Sequence, residues 1–115
     1  VNGVFLEKSA TFVCHGHEIP AKKFIEKSST IVIGHDHPAV TLTDGVTKQK
    51  FKCFLVGNWM KHRLIVLPSY NFASPGTDPR TGNLSPFLGS RVTRFRAWLV
   101  EEGNVYDFGI LDELE

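Results

Sequence analysis

Two short apolar runs in this chain each end in a pair of histidines separated by one residue. The run over residues 12–14 is followed by His15-Gly16-His17, and the run over residues 31–33 is followed by Gly34-His35-Asp36-His37. Residues two apart in an extended segment point to the same side, so both rings of a pair can face one place. Neutral imidazole is the commonest metal ligand among side chains. The two pairs therefore predict a metal site.

The residues between the two pairs predict a helix. The segment Pro20–Lys27 has a proline at its first turn and apolar side chains at helical spacing, with lysines outside. Residues 10–33 thus indicate a strand–loop–helix–strand unit, which builds parallel or mixed sheets. Ligands of such sheets bind at the carboxyl ends of strands, which is where both histidine pairs fall. Gly16 and Gly34 would let the backbone turn there.

The rest of the chain has a β pattern. Residues 4–6 and 10–14 predict a hairpin around Glu7-Lys8-Ser9. Further strands are predicted over 39–43, 49–56, 64–67, 95–100 and 105–111, with turns at Asp44-Gly45, Gly57-Asn58, Lys61-His62-Arg63 and Glu101–Asn104, and a loop over 74–86. We therefore expect an α/β fold that is mostly β, with one helix near residues 20–27, in a single domain over residues 1–115.

Composition narrows the function classes. The formal charge is +1, from 13 Lys and Arg against 12 Asp and Glu, so there is no strong attraction to nucleic acid or to a membrane surface. No apolar stretch approaches the roughly 20 residues of a membrane span, and we expect no membrane partner. Cys14 and Cys53 lie inside apolar runs, which is typical of reduced thiols in a cytoplasmic protein.

Other residues have a structural and a functional interpretation. The dispersed basic residues favour a solvated sheet face. Together with three aromatic residues they would instead form a nucleic-acid surface, so nucleic acid remains a candidate partner. The residues are Lys22, Lys23, Lys48, Lys50, Lys52, Arg91, Arg94 and Arg96, with Trp59, Tyr70 and Trp98. A thiolate ligand at Cys14 is disfavoured against a core thiol. His62 lies outside both pairs and is assigned to a solvated turn.

The histidine motifs resemble those of a known superfamily. Gly34-His35-Asp36-His37 matches the Gly-His-x-His motif that closes the calcineurin-like metallophosphoesterases, and Cys14-His15-Gly16-His17 is similar to the single-histidine motif before it. The order of the motifs and the helix between them also fit. Leu67–Asn71 and Pro75–Asp78 resemble a mainly archaeal branch of predicted phosphoesterases. The resemblance covers about residues 1–72.

This resemblance implies a four-layer α/β/β/α sandwich with two divalent metal ions, Mn, Zn, Ni or Fe, at the strand ends. His15 and His35 would bind one ion and His37 the other. His17 is not usually a ligand in the family, so it is expected to act in catalysis by contacting the substrate or orienting a neighbour, or else to be a surface ring. Asp36 would be a carboxylate behind the ligands or, the favoured alternative, a solvated spacer. The substrate implied by the resemblance is a phosphomonoester or phosphodiester, such as a nucleotide or nucleic acid.

The sequence departs from the family in one respect. The earlier motifs Asp-x-His, Gly-Asp and Gly-Asn-His-Asp/Glu do not occur, and they supply the bridging aspartate and the other ligands. With Val1 at the start, this absence predicts the carboxy-terminal half of a phosphoesterase domain, which holds one metal ion or none and is inactive alone. Such a fragment should self-associate through an exposed sheet edge and apolar face.

Two other functions fit the same residues. A binding or scaffold module could retain this fold without turnover. Alternatively, three or four histidines could hold a single metal ion in a hydrolase that is complete in this chain.

Overall fold

The computed structural model describes residues 3–71, 73–81 and 85–114. Of the segments interpreted above, Val1, Phe72 and residues 82–84 of the predicted loop lie outside this part. The described residues form eight strands and one α-helix: β1 (Gly3–Leu6), β2 (Thr11–Cys14), α1 (Lys22–Lys27), β3 (Thr30–Ile33), β4 (Ala39–Thr43), β5 (Lys48–Trp59), β6 (His62–Val66), β7 (Arg96–Glu101) and β8 (Asn104–Ile110). The prediction of a mostly β chain with a helix near residues 20–27 is confirmed. None of the helices described is long and apolar enough to cross a bilayer.

The strands form one mixed sheet in the order β1-β2-β3-β6-β5-β7-β8, with β4 paired to the first half of β5. The strands β2, β3 and β6 are parallel, and the other pairings are antiparallel. Cys14, Ile33 and Val66 lie in register as the last residues of the three parallel strands. The segments that follow them therefore leave the sheet at the same edge.

The hairpin between β4 and β5 forms where Asp44-Gly45 predicted it. The Asp44 carboxylate accepts hydrogen bonds from the backbone N–H groups of Val46 and Thr47, at 2.9 and 2.8 Å. Gly45 has a φ of +93°, a conformation that costs glycine little. Local turn chemistry thus fixes this connection.

The predicted turn at Gly57-Asn58 is wrong, because β5 continues to Trp59 and the chain turns at Met60 and Lys61. A Cβ atom on Gly57 would lie 2.4 Å from the Phe95 ring. The glycine is needed because that ring packs directly on the strand, which is a recognised role for glycine within strands.

His62 also departs from expectation, since it begins β6 instead of lying in a solvated turn. Its Nδ1 lies 2.7 Å from the carbonyl oxygen of Ser28, and its ring is 5.9 Å from that of Trp59. The role of His62 is therefore structural: it joins β6 to the segment between α1 and β3.

The two faces of the sheet are covered unequally. One face carries the buried core, which includes Phe12, Ile31, Ile33, Leu55, Leu64, Val66, Leu99 and Leu111. The opposite face has a row of apolar side chains that are in register across the strands and only half-buried: Val13, Val32, Ile65, Val56, Phe54 and Trp98. We call this row the half-covered face.

Candidate metal centre

The structure brings the two histidine pairs together at the carboxyl ends of β2 and β3. His15 Nε2 and His35 Nδ1 are 2.8 Å apart, and the two ring centroids are 4.8 Å apart. Both rings lie on the same edge of the sheet, as the parallel pairing of the strands requires. The two imidazoles can therefore act on one bound group.

Backbone contacts keep these two loops adjacent. The Gly34 N–H donates to the carbonyl oxygen of His15 at 3.0 Å. Gly16 has a φ of +97°, and a Cβ atom there would lie 2.7 Å from Cβ of Ile33. Any other residue at position 16 would be strained and would collide with β3, so Gly16 determines the path of the first loop. At Gly34 a Cβ atom would meet nothing within 4 Å, and φ is not positive, so the structure shows no steric need for that glycine.

His17 lies at the exposed side of the cluster. Its ring centroid is 5.2 Å from that of His15 and 6.3 Å from that of His35. The side chain is 47% exposed, and its Nε2 lies 3.7 Å from Oε1 of Glu18. His17 can thus reach a molecule that approaches the His15–His35 pair from solvent.

His37 is oriented by a different part of the chain. Its φ is +48°, in the left-handed region that few non-glycine residues adopt. Its Nδ1 lies 3.5 Å from Oγ of Ser74, and its carbonyl oxygen accepts a hydrogen bond of 2.9 Å from the N–H of Thr77. Ser74 and Thr77 belong to the segment after β6, the third parallel strand, so that segment also contributes to this edge. No motif in the sequence indicates Ser74 as a neighbour of the histidines.

Asp36 is not the solvated spacer that the sequence favoured. Its side chain is buried, and Oδ1 accepts a hydrogen bond of 2.8 Å from the N–H of Ser85. Asp36 Oδ2 and Ser85 Oγ are both buried and have no hydrogen-bond partner among the described residues. Asp36 therefore anchors the histidine loop to the segment that covers the core.

Electrostatics favour the neutral form of His15. Desolvation is the largest cause and lowers the pKa of His15. The neighbouring imidazoles of His35, His17 and His37 lower it further, while the charge of Asp36 raises it. Neutral imidazole is the form that binds metal ions. His15 is therefore ready to act as a ligand at neutral pH.

Burial favours the protonated thiol form of both cysteines. Burial raises the pKa of the Cys14 thiol, and a backbone hydrogen bond with Gly16 opposes this only in part. Burial also raises the pKa of Cys53 to about 12. Both groups are therefore protonated at neutral pH, which agrees with the sequence-based preference for core thiols.

The donor atoms suit a divalent metal ion of the first transition row, although the set is incomplete. Two nitrogens bound to one tetrahedral Zn²⁺ at 2.0–2.1 Å lie about 3.3 Å apart. His15 Nε2 and His35 Nδ1, which are within hydrogen-bond distance of each other, would need to separate by about 0.5 Å and to turn both lone pairs toward the ion. Within residues 3–71, 73–81 and 85–114, no three His, Cys, Asp or Glu side chains form a complete metal-binding group. The residues present therefore fit as two ligands of a cation whose other positions need further donors.

Several cationic residues considered for nucleic-acid binding make contacts within the fold. Lys50 and Lys52 each donate at 2.7 Å to a backbone carbonyl oxygen, those of Gly76 and Asn71 respectively. Arg96 forms an ion pair of 2.8 Å with Asp107. Nucleic-acid binding stays a prediction, and these contacts give it no support.

A cavity of about 350 Å³ lies beside the first pair, lined by residues 14–21 and by Phe12, Lys23 and Phe24. Ile19 belongs to no sequence motif, and Lys23 stands out in the sequence only as one of the dispersed basic residues. Comparison with known proteins adds no functional assignment, because no protein-family model, curated protein or solved structure matches this chain.

Proposed function

We propose that this chain forms part of the active site of a metal-dependent phosphoesterase. The observation that supports this proposal best is the 2.8 Å approach of His15 Nε2 to His35 Nδ1 at the ends of adjacent parallel strands. These are the two histidines to which the motif resemblance assigns a shared metal ion. The substrate class follows from the resemblance and is a phosphomonoester or phosphodiester.

His15 and His35 would hold the cation, and His37 would contribute to a second one. A bound divalent cation polarises a phosphoryl oxygen and lowers the pKa of a bound water. The residues of this chain orient the ligands: Ser74 lies against His37, and Asp36 holds the loop between His35 and His37 in place through Ser85. His17, whose ring is 5.2 Å from that of His15, would hydrogen-bond a phosphoryl or leaving-group oxygen.

The half-covered face supports the finer proposal of a four-layer α/β/β/α sandwich. In a sandwich, the inner faces of two sheets pack against each other about 10 Å apart, and their side chains exclude water. The six apolar side chains of this face are only half-buried within the described chain. A second sheet packed there would complete their burial, as the resemblance implies.

Metal titration tests the role of the histidine pair. We expect Mn²⁺ or Zn²⁺ to bind, and we expect His15→Ala and His35→Ala each to weaken binding at least tenfold, because each removes one of two nitrogens. Isothermal titration calorimetry measures the affinity. His62→Gln is the matched control, since it removes an imidazole away from the cluster and should leave the affinity unchanged.

Hydrolysis of bis(p-nitrophenyl) phosphate with Mn²⁺ by the full-length gene product tests the reaction class. Turnover that is lost in His15→Ala and His35→Ala supports the enzyme. Metal binding with no turnover on any phosphoester would favour the binding module instead, and equal metal affinity in the folded wild-type and His35→Ala proteins would contradict the site itself.

A further inference from the structure

The cavity beside His15 and His17 has an apolar wall and a polar end. The wall consists of Phe12, Cys14, Ile19, Pro20, Ala21 and Phe24. Small-molecule pockets measure about 300–1,000 Å³ and are mostly apolar with a few convergent polar groups. At about 350 Å³, this cavity can hold a small molecule with one ring.

The aromatic part of the wall is preformed. The rings of Phe12 and Phe24 stack at a centroid distance of 5.1 Å and an interplanar angle of 15°. Ile19 is 41% exposed although it lines the cavity, so an apolar ligand would cover surface that now faces water. Burial of that surface favours a flat apolar group.

The polar end is suited to an anion that is joined to such a group. His15 and His17 belong to this end. Lys23 also lines the cavity, but its Nζ lies 5.1 Å from the centroid of the Phe24 ring, beside the apolar wall. The carboxylate of Glu18 also lines this end, where it lies 3.7 Å from His17. Two imidazoles, one carboxylate and one ammonium group thus line the cavity.

We infer that the cavity binds the ester substituent of a small phosphoester, and that this substituent is a single flat aromatic ring. The inference rests on the proposed function, which places the phosphoryl group at the imidazoles. The ring then lies against the apolar wall with Ile19 over it, and the phosphate oxygens lie near His17. The cavity thereby selects aryl esters over alkyl esters of phosphate.

Binding of two probes to the metal-free protein tests this selectivity. We expect phenyl phosphate to bind at least tenfold more tightly than methyl phosphate in NMR titrations at the same pH and ionic strength, because burial of a ring is worth roughly that much or more. Ala21→Leu fills the cavity and should abolish the difference. Ala73→Leu makes the same change at an exposed position outside the cavity and should preserve it.

A second variant keeps the test decisive should Ala21→Leu fail to fold. Ile19→Ala removes one side chain of the apolar wall. It should weaken the binding of phenyl phosphate severalfold and leave the affinity for methyl phosphate unchanged. Equal affinity for the two probes, or no detectable binding of phenyl phosphate, overturns the inference. Since no metal ion is present in the titration, the result is independent of metal binding and of turnover.

Discussion

Asp36 shows how one side chain can position two others. It lies between His35 and His37 in the sequence, yet its carboxylate points into the protein and accepts the hydrogen bond of the Ser85 N–H. A buried carboxylate is uncommon unless it is hydrogen-bonded or paired. The loop that carries both histidines is thus fixed by its middle residue.

Replacement of Asp36 should therefore loosen the site. We expect Asp36→Ala to lower the free energy of unfolding by about 1–3 kcal/mol, because the buried N–H of Ser85 loses its acceptor. Asp36→Asn keeps an acceptor oxygen and should cost less. Urea denaturation measures both, and equal stability of the alanine variant and the wild type would show that the Ser85 contact does not hold the loop.

The spacing of the histidines could be read from the sequence, whereas the burial of Asp36 could not. The spacing of two residues predicts a common side for His15 and His17. In the structure β2 ends at Cys14 and Gly16 has a φ of +97°, so the loop, and not strand alternation, brings the two rings together. Whether a carboxylate between two histidines faces solvent depends on a segment 49 residues away. The partner is an ordinary backbone N–H, which has no sequence signature.

At the level of elements, an ion pair joins the loop after β6 to β4 and to the end of the chain. Arg80 contacts Asp78 at 2.7 Å and donates to the carbonyl oxygens of Thr41 and Leu114. Asp78 also accepts a hydrogen bond of 3.2 Å from the N–H of Thr41. This arrangement holds in place the segment that contains Ser74, the neighbour of His37.

Stability should depend on the ionisation of Asp78 in acid. Burial raises the pKa of Asp78. The hydrogen bonds from Arg80 and Thr41 and the charge of Arg80 together lower it by more, so the pKa lies below its ordinary value. A lowered folded-state pKa means that the stabilisation is fully present above the unfolded-state pKa of about 3.9 and is lost as the pH falls through the folded-state value. We expect Asp78→Asn to be less stable at neutral pH by about 1–3 kcal/mol and to lose less stability below pH 4.

Urea denaturation of both proteins across this acidic range measures the difference. Asp112→Asn is the control, because Asp112 is exposed in a short 3₁₀ helix (Leu111–Glu113) after β8, and the stability of this variant should vary with pH as that of the wild type does. If Asp78→Asn loses as much stability in acid as the wild type does, the Asp78–Arg80 pair is not the cause of the acid sensitivity.

The elements themselves were largely predictable from local pattern. The hairpin at Asp44-Gly45, the helix after Pro20 and the last hairpin at Glu102-Gly103 form where turn and periodicity signals indicated. The prediction of a turn at Gly57-Asn58 was wrong because glycine, which favours turns, also permits close packing within a strand. There, the ring of Phe95, 38 residues further along the chain, requires the glycine.

At the scale of the whole molecule, apolar surface remains exposed at both edges of the sheet. Edge strand β1 exposes Val4 and Leu6, and edge strand β8 exposes Val105, Tyr106 and Phe108. Unpaired backbone groups on an edge strand invite pairing with another strand, especially where the side chains are apolar. The half-covered face adds further apolar surface.

We therefore expect this chain to self-associate, with an average mass that rises with concentration. Light scattering measures the mass, and Val105→Lys should lower it because a charge on an edge strand opposes pairing. Val46→Lys is the control, since Val46 is 90% exposed in the β4–β5 turn. A monomer at all concentrations would contradict this expectation.

The arrangement of layers around the sheet could not be read from the sequence pattern. Alternation shows which side chains share a face, but both faces of this sheet are apolar in the middle strands, as the sequences of β3 and β6 show. Which of them is covered depends on where the segment over residues 85–95 returns, and that is decided by packing with distant strands.

The parallel pairing of β2 with β3 has a consequence for how the imidazole cluster assembles. His15 and His35 are 20 residues apart, and the intervening chain is a single helix-containing crossover. Loop-closure entropy grows only slowly with length, so bringing these rings together costs little more than closing a short loop. The strand pairing behind their proximity lies within residues 11–37, whereas the loop that carries His35 is also held by Ser85, 49 residues beyond Asp36.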